Sequence, residues 1–302
     1  MAAFPMKGGM EMQAAGKTKG AIIIGLLPAI LIYSVFAILP IIQSFYYSVM
    51  EWNGFSDMSF VGLANFQALF QDTLFWNSVK NNIYVVLASV LGQVPIALFI
   101  ALLLNRKLKG LKIFRTIGFL PVVLSTVVIS LTWSLIYNSE NGLINELLRA
   151  LGLGGLAQNW LGDTNWSMIA VCVTVIWQFV GLYLIIFLAA LQNVPEEVLE
   201  AAKIDGASEW TTTWKITVPM IWDTIIVAVI LCIAGSLKTF DLIYVMTHGG
   251  PSHSTDVMAL YMFNETFSQL QYGYGSAVSV VIFFFSLILI FIVTKLLGRK
   301  ML

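Results

Sequence analysis

An acidic segment in the second half of the chain has residue types suited to engaging another molecule. From Asn193 to Ser208 it reads NVPEEVLEAAKIDGAS. Pro195 is suited to the first turn of a helix, and the two glutamates that follow it stabilise the positive end of the helix dipole. Gly206 permits a sharp reversal of the chain. The segment is therefore predicted to form a helix, a turn and a second helix.

The predicted second helix is amphipathic, with Trp210, Trp214 and Ile216 on roughly one face, and Pro219 begins the next apolar run. Five acidic residues and one lysine lie between Glu196 and Glu209, whereas helices that rest on anionic lipid are usually basic. This charge pattern favours a protein partner, with an interfacial helix pair as the alternative.

Lys238 and Asp241 are charged residues in an otherwise apolar run. Because they are three positions apart, they are expected to be neighbours on one helix face. A lysine at the centre of a bilayer costs about 2.5 to 3.5 kcal/mol, so it should face a bundle interior or a wet cavity. Two interpretations follow: a structural ion pair or snorkelling lysine, or a pair that lines a transport route or its gate.

The motifs of common catalytic sites are not found in the sequence. His248 and His253 belong to no H-E-x-x-H zinc motif, and no G-x-S-x-G elbow occurs. Residues 16–18 look like the end of a nucleotide-binding loop but lack its first glycine. Cys172 and Cys232 fall in apolar runs, which favours packing over a disulfide. We expect a chain that is not an enzyme and that binds no metal, cofactor or nucleic acid.

Membrane helices must position these residues, since 59% of the chain is hydrophobic and 11% is charged. About 20 apolar residues are needed for a helix to cross the hydrocarbon. The fold class expected is an all-α membrane protein, with a tail at residues 1–20 and a single membrane domain at residues 21–302. Its six predicted spans are Ala21–Ser48, Asn82–Leu104, Ile117–Tyr137, Trp166–Leu191, Ile221–Tyr244 and Gly275–Thr294.

The distribution of lysine and arginine predicts the orientation, because cytoplasmic loops carry the excess of these residues. Thirteen of them lie in the two tails, between spans two and three, or between spans four and five. The opposite side carries Lys80 and Arg149. Both termini and the acidic segment are therefore predicted to be cytoplasmic. The loops at residues 49–80, 138–165 and 247–272 are predicted to be external.

The acidic segment contains Glu200-Ala201-Ala202, then Gly206 after three residues, and Ile216-Thr217-Val218-Pro219 after nine more. This pattern resembles the EAA loop of inner-membrane permeases in binding-protein-dependent ABC importers, with Val218 where leucine is usual. Residues 114–121, 238–244 and 247–251 resemble the sugar-permease branch of that family.

The resemblance implies a bacterial inner-membrane subunit that pairs with a second, related permease. It also implies two cytoplasmic ATPase subunits, which bind ATP and Mg, and an external solute-binding protein that delivers a sugar. The EAA loop, residues 193–219, is expected to insert into a cleft on an ATPase. The residues expected to carry this coupling are Glu200, Ala201, Ala202, Asp205, Gly206, Ile216 and Pro219.

Sugar sites combine aromatic platforms with hydrogen-bonding groups, which suggests candidates in spans four and five. The residues predicted to line the translocation route are Trp177, Gln178, Tyr183, Lys238, Phe240, Asp241 and Tyr244. An ion-coupled secondary transporter is the alternative function, because it would also be a helix bundle with rare buried charges. The sequence does not indicate which sugar is carried, or whether this chain or its partner permease contacts it.

Overall fold

The computed structural model describes residues 25–105 and 110–298, which are mostly helical. The predicted tail at residues 1–20 lies outside this part of the chain. So do five further basic residues that the orientation rule used, namely Arg106, Lys107, Lys109, Arg299 and Lys300.

The helices are numbered here in chain order, and α1 and α9 each contain a short π-helical stretch. Their bounds are α1 Gly25–Tyr47, α2 Ala64–Gln71, α3 Thr73–Leu104, α4 Leu111–Val123, α5 Thr126–Ile136, α6 Leu143–Ala150, α7 Ser167–Gln192, α8 Glu196–Ile204, α9 Glu209–Met220, α10 Trp222–Leu237, α11 Asp241–Met246, α12 Met258–Phe263 and α13 Tyr272–Leu297. A small antiparallel hairpin, β1 Met50–Glu51 and β2 Ser59–Phe60, pairs Met50 with Phe60. A 3₁₀ turn, Gly154–Leu156, and π-helical residues Asn264–Ser268 complete the regular structure.

Four of these helices, α1, α3, α7 and α13, are each long and apolar enough to cross a membrane. Two further spans are bent pairs in which α4 and α5 meet at 98°, and α9 and α10 at 65°. The described residues thus hold four continuous candidate spans, or six when each bent pair is counted. Predicted span three is interrupted at residues 124–125 and predicted span five at residues 238–240, so neither is the continuous helix that hydropathy suggested.

The second span begins at Thr73, nine positions before the predicted start. Asp72 precedes it and accepts hydrogen bonds at Oδ1 from the backbone N–H groups of Leu74 and Phe75, at 2.7 and 3.4 Å. A carboxylate in this position satisfies amides that have no partner inside the helix. Part of the segment predicted as an external loop is therefore helical, because hydropathy does not detect a capped polar first turn.

The centre of the bundle is the packing of α3 on α7, with α4 and α10 against them. Its core includes Ala97, Phe187 and Ala228, all fully buried. Helices α4 and α7 approach so closely that a Cβ added to Gly181 would lie 1.9 Å from the carbonyl oxygen of Gly118. Glycine at position 181 is therefore required by the backbone of the neighbouring helix.

The two ends of the bundle are built differently. At one end, Leu104, Val194 and Ile221 meet in one apolar cluster beside the acidic segment. At the other end, the β-hairpin, α2, α12 and the loop at residues 247–257 form a folded platform around the start of α13. Its hydrogen bonds include Tyr261 Oη to Asp72 Oδ2 at 2.6 Å and Asn81 Nδ2 to the Asp256 carbonyl at 2.8 Å. These ends correspond to the loops that the sequence assigns to opposite sides.

We expect Gly181→Ala to lower the free energy of unfolding by about 1–3 kcal/mol, because the added methyl group forces α4 and α7 apart. The measurement is the thermal unfolding midpoint in detergent, followed with a dye that labels Cys172 and Cys232, which are buried free thiols. Gly235→Ala is the matched control, since a Cβ at that helical glycine meets nothing within 4 Å. Equal midpoints for the two variants would contradict this packing argument.

Candidate functional site

The fifth predicted span breaks where its charged residues lie. Helix α10 ends at Leu237 and α11 begins at Asp241, so Lys238 and Asp241 are not neighbours on one helix. They also form no ion pair with each other in the described part of the chain, where Glu146 pairs with Arg149 and His253 with Asp256. The prediction of a helical Lys238–Asp241 pair is wrong, because the backbone leaves the helix between them.

Both residues instead line a cavity of about 380 Å³, here called the membrane cavity. Its walls come from α3, α7, α10 and the two points at which the bent or broken spans are interrupted. Of the residues predicted for the route, those that line it are Tyr183, Lys238, Phe240 and Asp241. The lining that the sequence analysis missed includes Gln93, Thr126, Phe179, Ser236 and Thr239.

The polar groups of the membrane cavity are tied to the helices around it. Gln93 is buried, its Nε2 donates to the Val175 carbonyl at 3.2 Å, and its Oε1 accepts from the Cys232 thiol at 3.5 Å. The cavity therefore offers amide, hydroxyl, ammonium and carboxylate groups within an apolar wall. Such a mixture suits a polar, hydroxyl-rich solute.

Gln178 reaches the cavity indirectly. It is buried, and its Nε2 donates to Thr126 Oγ1 at 3.1 Å. Thr126 is the first residue of α5 and lines the cavity at the 98° bend. Gln178 thus does not line the cavity itself but donates a hydrogen bond to a residue that does.

The remaining two predicted residues are aromatic and lie outside the cavity lining. Tyr244 stacks on Phe240 with ring centroids 5.2 Å apart and planes inclined by 19°. Trp177 instead packs edge-on against Trp133 at 5.4 Å and is 41% exposed. Tyr244 therefore contacts a residue that lines the cavity, Phe240, without lining the cavity itself. Trp177 is not part of the cavity lining.

The missed residues left only faint signals in the sequence. Gln93 is a lone amide within an apolar run, and a single polar residue barely changes the mean hydropathy of such a run. Thr126 follows Pro121 by five positions, and proline disturbs a helix near its own position, but the direction of the bend depends on packing against α7 and α11. Sequence periodicity contains no information about such contacts.

The acidic segment forms the expected helix, turn and helix as α8, residues 205–208 and α9. Gly206 has φ of +75°, its N–H donates to the Lys203 carbonyl at 3.1 Å, and the N–H of Ala207 donates to the Ala202 carbonyl at 2.9 Å. This is the Schellman arrangement, in which glycine takes the left-handed position at a helix end. Pro195 stands just before the first residue of α8.

The predicted coupling residues divide by exposure. Ala202 is buried against the bundle and Ile216 is half-buried, whereas Glu200, Ala201, Asp205, Gly206 and Pro219 are exposed. The most exposed large apolar side chains on this hairpin are Ile204 at 86% and Trp210 at 74%. The hairpin thus presents carboxylates and apolar groups together, a combination found in protein contact surfaces.

No group of three or more possible ligands among His, Cys, Asp and Glu comes together to hold a metal ion within residues 25–105 and 110–298.

A family of proteins described as binding-protein-dependent transport system inner membrane components matches residues 93–302. The match covers more than half of the chain, including every lining residue of the membrane cavity and the whole acidic hairpin. This chain belongs to that family. It is therefore a multi-pass membrane permease subunit of a transport system.

Curated relatives agree over most of the permease. A probable ABC transporter permease protein of Pyrococcus horikoshii is 36% identical over 270 residues, covering 89% of this chain and 92% of the relative. The diacetylchitobiose uptake system permease protein NgcF of Streptomyces coelicolor is 34% identical over 282 residues, covering 88% and 80%.

A solved structure supports the fold of the permease. The crystal structure of a bacterial alginate ABC transporter, in complex with an alginate pentasaccharide-bound periplasmic protein, contains a chain with a TM-score of 0.82. The alignment covers 94% of this chain and 96% of that chain at 23% sequence identity. At this level of identity the likeness concerns the fold.

We expect a double-mutant cycle with Gln178→Leu and Thr126→Val to show a coupling energy of about 0.5–1.5 kcal/mol, the usual net contribution of one hydrogen bond. The measurement is the free energy of unfolding in mixed micelles for the two single variants and the double variant. Additive effects would show that the contact between α7 and the first residue of α5 does not stabilise the bend.

Proposed function

We propose that this permease forms half of the translocation pathway of an ATP-driven importer for a mono- or oligosaccharide. One observation carries the proposal: a single helix, α10, joins the acidic hairpin at one end to the membrane cavity at the other. Its 16 residues span about 24 Å at 1.5 Å per residue. A movement applied to the hairpin would reach Lys238 and Ser236 through one rigid element.

The lining of the membrane cavity supports a carbohydrate as cargo. Phe240 and Phe179 offer aromatic faces, while Gln93, Thr126 and Thr239 offer amide and hydroxyl groups. A sugar needs both, because its ring faces are weakly apolar and its edges carry hydroxyl groups. The relatives named for diacetylchitobiose and alginate transport handle molecules of this class.

The hairpin supports coupling to a separate ATPase. Concentrating a neutral solute by about 10⁴ requires about 5.5 kcal/mol, at about 1.4 kcal/mol per tenfold. A binding cavity cannot supply this, whereas a partner that contacts two states of the permease differently can. Glu200, Asp205, Ile204 and Trp210 give such a partner charged and apolar contacts on one uncovered surface.

The complete transporter in this proposal also contains a second, homologous permease and two ATPase subunits that bind ATP and Mg on the cytoplasmic side. An external solute-binding protein delivers the sugar. ATP binding favours the outward-facing state, and hydrolysis restores the inward-facing one. Both termini and the hairpin lie in the cytoplasm, while the platform faces outward.

Reconstitution tests the proposal directly. The purified complex is placed in vesicles with the binding protein outside and ATP inside, and uptake of radiolabelled diacetylchitobiose, maltose, lactose, trehalose and glucose is measured. We expect accumulation of at least one of these sugars that requires both ATP and the binding protein. Accumulation that follows an ion gradient without ATP would support a secondary transporter instead.

We expect Gly206→Pro to abolish uptake, because proline requires φ near −65° and removes the N–H that bonds to Lys203. Gly152→Pro is the matched control, since Gly152 has φ of +74° and ends α6 with the same pattern of hydrogen bonds in another loop. Both variants should insert into the membrane equally. Equal uptake by the two variants would argue against a coupling role for the hairpin.

Glu200→Lys should also abolish uptake, because it reverses the charge of an exposed hairpin residue.

We expect Lys238→Met to reduce sugar uptake by about tenfold or more, since a hydrogen bond from a charged donor contributes about 1.5–3 kcal/mol. The measurement is the initial rate and half-saturating sugar concentration in vesicles. Lys80→Met is the control, because Lys80 is exposed on α3 and does not line the membrane cavity. Normal affinity and rate in Lys238→Met would remove this lysine from the route.

A further inference from the structure

A line of aromatic rings runs from the membrane cavity into the platform. It consists of Phe240, Phe263, Phe267, Tyr272 and Trp52, and is called here the aromatic ladder. Successive ring centroids are 5.1, 5.2, 6.0 and 5.3 Å apart. The rings come from four separate segments of the chain, so the line is created by the tertiary structure.

Each end of the aromatic ladder opens on a cavity. Phe240 lines the membrane cavity, beside Lys238 and Asp241. Trp52 lines a second cavity of about 660 Å³ in the platform, here called the outer cavity. The lining of the outer cavity includes five polar side chains, those of Asn53, Asn65, Gln271, Glu51 and Asp57. The ladder therefore joins two cavities that both carry hydrogen-bonding groups.

The ladder rings are not closed into the core. Phe267 is 54% exposed, and the other four rings are partly exposed. Membrane-interface belts consist of tryptophan and tyrosine, whose polar tips reach the head groups. Phe240, Phe263 and Phe267 have no such tip, so interfacial anchoring does not explain why they stand in line.

We propose that the aromatic ladder is a carbohydrate-binding track, along which a sugar passes between the outer cavity and the membrane cavity. This inference rests on the proposed function as a carbohydrate importer. The weakly apolar faces of a sugar pack on successive rings while its hydroxyl groups stay in water. Contacts of this kind are weak and repeated, which allows a solute to advance without being held at one ring.

The test replaces ladder rings with apolar side chains that have no ring face, using Phe263→Leu, Phe267→Leu and the double variant in the vesicles described above. The probe is whichever of the five radiolabelled sugars the wild-type complex takes up fastest. Two rates are measured: sugar uptake, and ATP hydrolysis stimulated by the sugar-loaded binding protein. We expect uptake to fall about threefold in each single variant and about tenfold in the double variant, with stimulated hydrolysis unchanged.

Three controls separate the track from a structural role. Phe263→Tyr and Phe267→Tyr keep the ring and should retain wild-type uptake. Phe291→Leu removes a ring that is 66% exposed on α13 and outside the ladder, so uptake should again be unchanged. Retention of the second permease during purification shows that the complex is intact.

Unchanged uptake in the double variant would overturn the track. Equal losses of uptake and stimulated hydrolysis, or loss of the second permease on purification, would also overturn it, by showing that the rings hold the complex together. A wild-type complex that moves none of the five sugars would refute the proposed function itself, and the track with it.

Discussion

Hydrocarbon offers no hydrogen bonds to a peptide group, so a membrane helix can be interrupted only where protein or water covers the exposed backbone. The spans that contain α4–α5 and α10–α11 are both interrupted within the bundle, at residues 124–125 and 238–240. Both interruptions lie beside the membrane cavity, which Thr126 and Lys238 line together. The cavity and the breaks therefore depend on each other. The breaks shape the cavity, and the cavity keeps the backbone groups at the breaks away from hydrocarbon.

The same constraint relates the two ends of the permease. Helix α11 packs on α5, so the second halves of the two broken spans are in contact, while α10 runs unbroken from Trp222 to the cavity. In the acidic hairpin, α8 ends in the Schellman turn at Gly206, and Ile204 and Trp210 are uncovered. The helical hairpin at one end, the unbroken helix α10 and the cavity at its far end are therefore continuous along the chain.

Particular residues show how far sequence reasoning reached. Gly206 and the two helices beside it followed from local chemistry, because a left-handed position and a capped helix depend on neighbours in the chain. The prediction of a Lys238–Asp241 pair on one helix face was wrong, because the argument from three-residue spacing assumes an unbroken helix. Trp177 was predicted to line the route because it is aromatic, but it packs on Trp133. Gln93 was not predicted, yet it lines the cavity.

The sequence by itself determined that the chain is a membrane protein with six apolar runs and an acidic helical hairpin, because hydrophobicity, charge and turn chemistry act over short stretches of chain. Its EAA pattern also indicated the family. Only the tertiary structure decided where spans three and five break, which polar groups meet at the cavity, and that rings as far apart in sequence as Trp52 and Phe267 stand in line. Those features arise from contacts between distant residues, and the order of residues along one helix does not encode them.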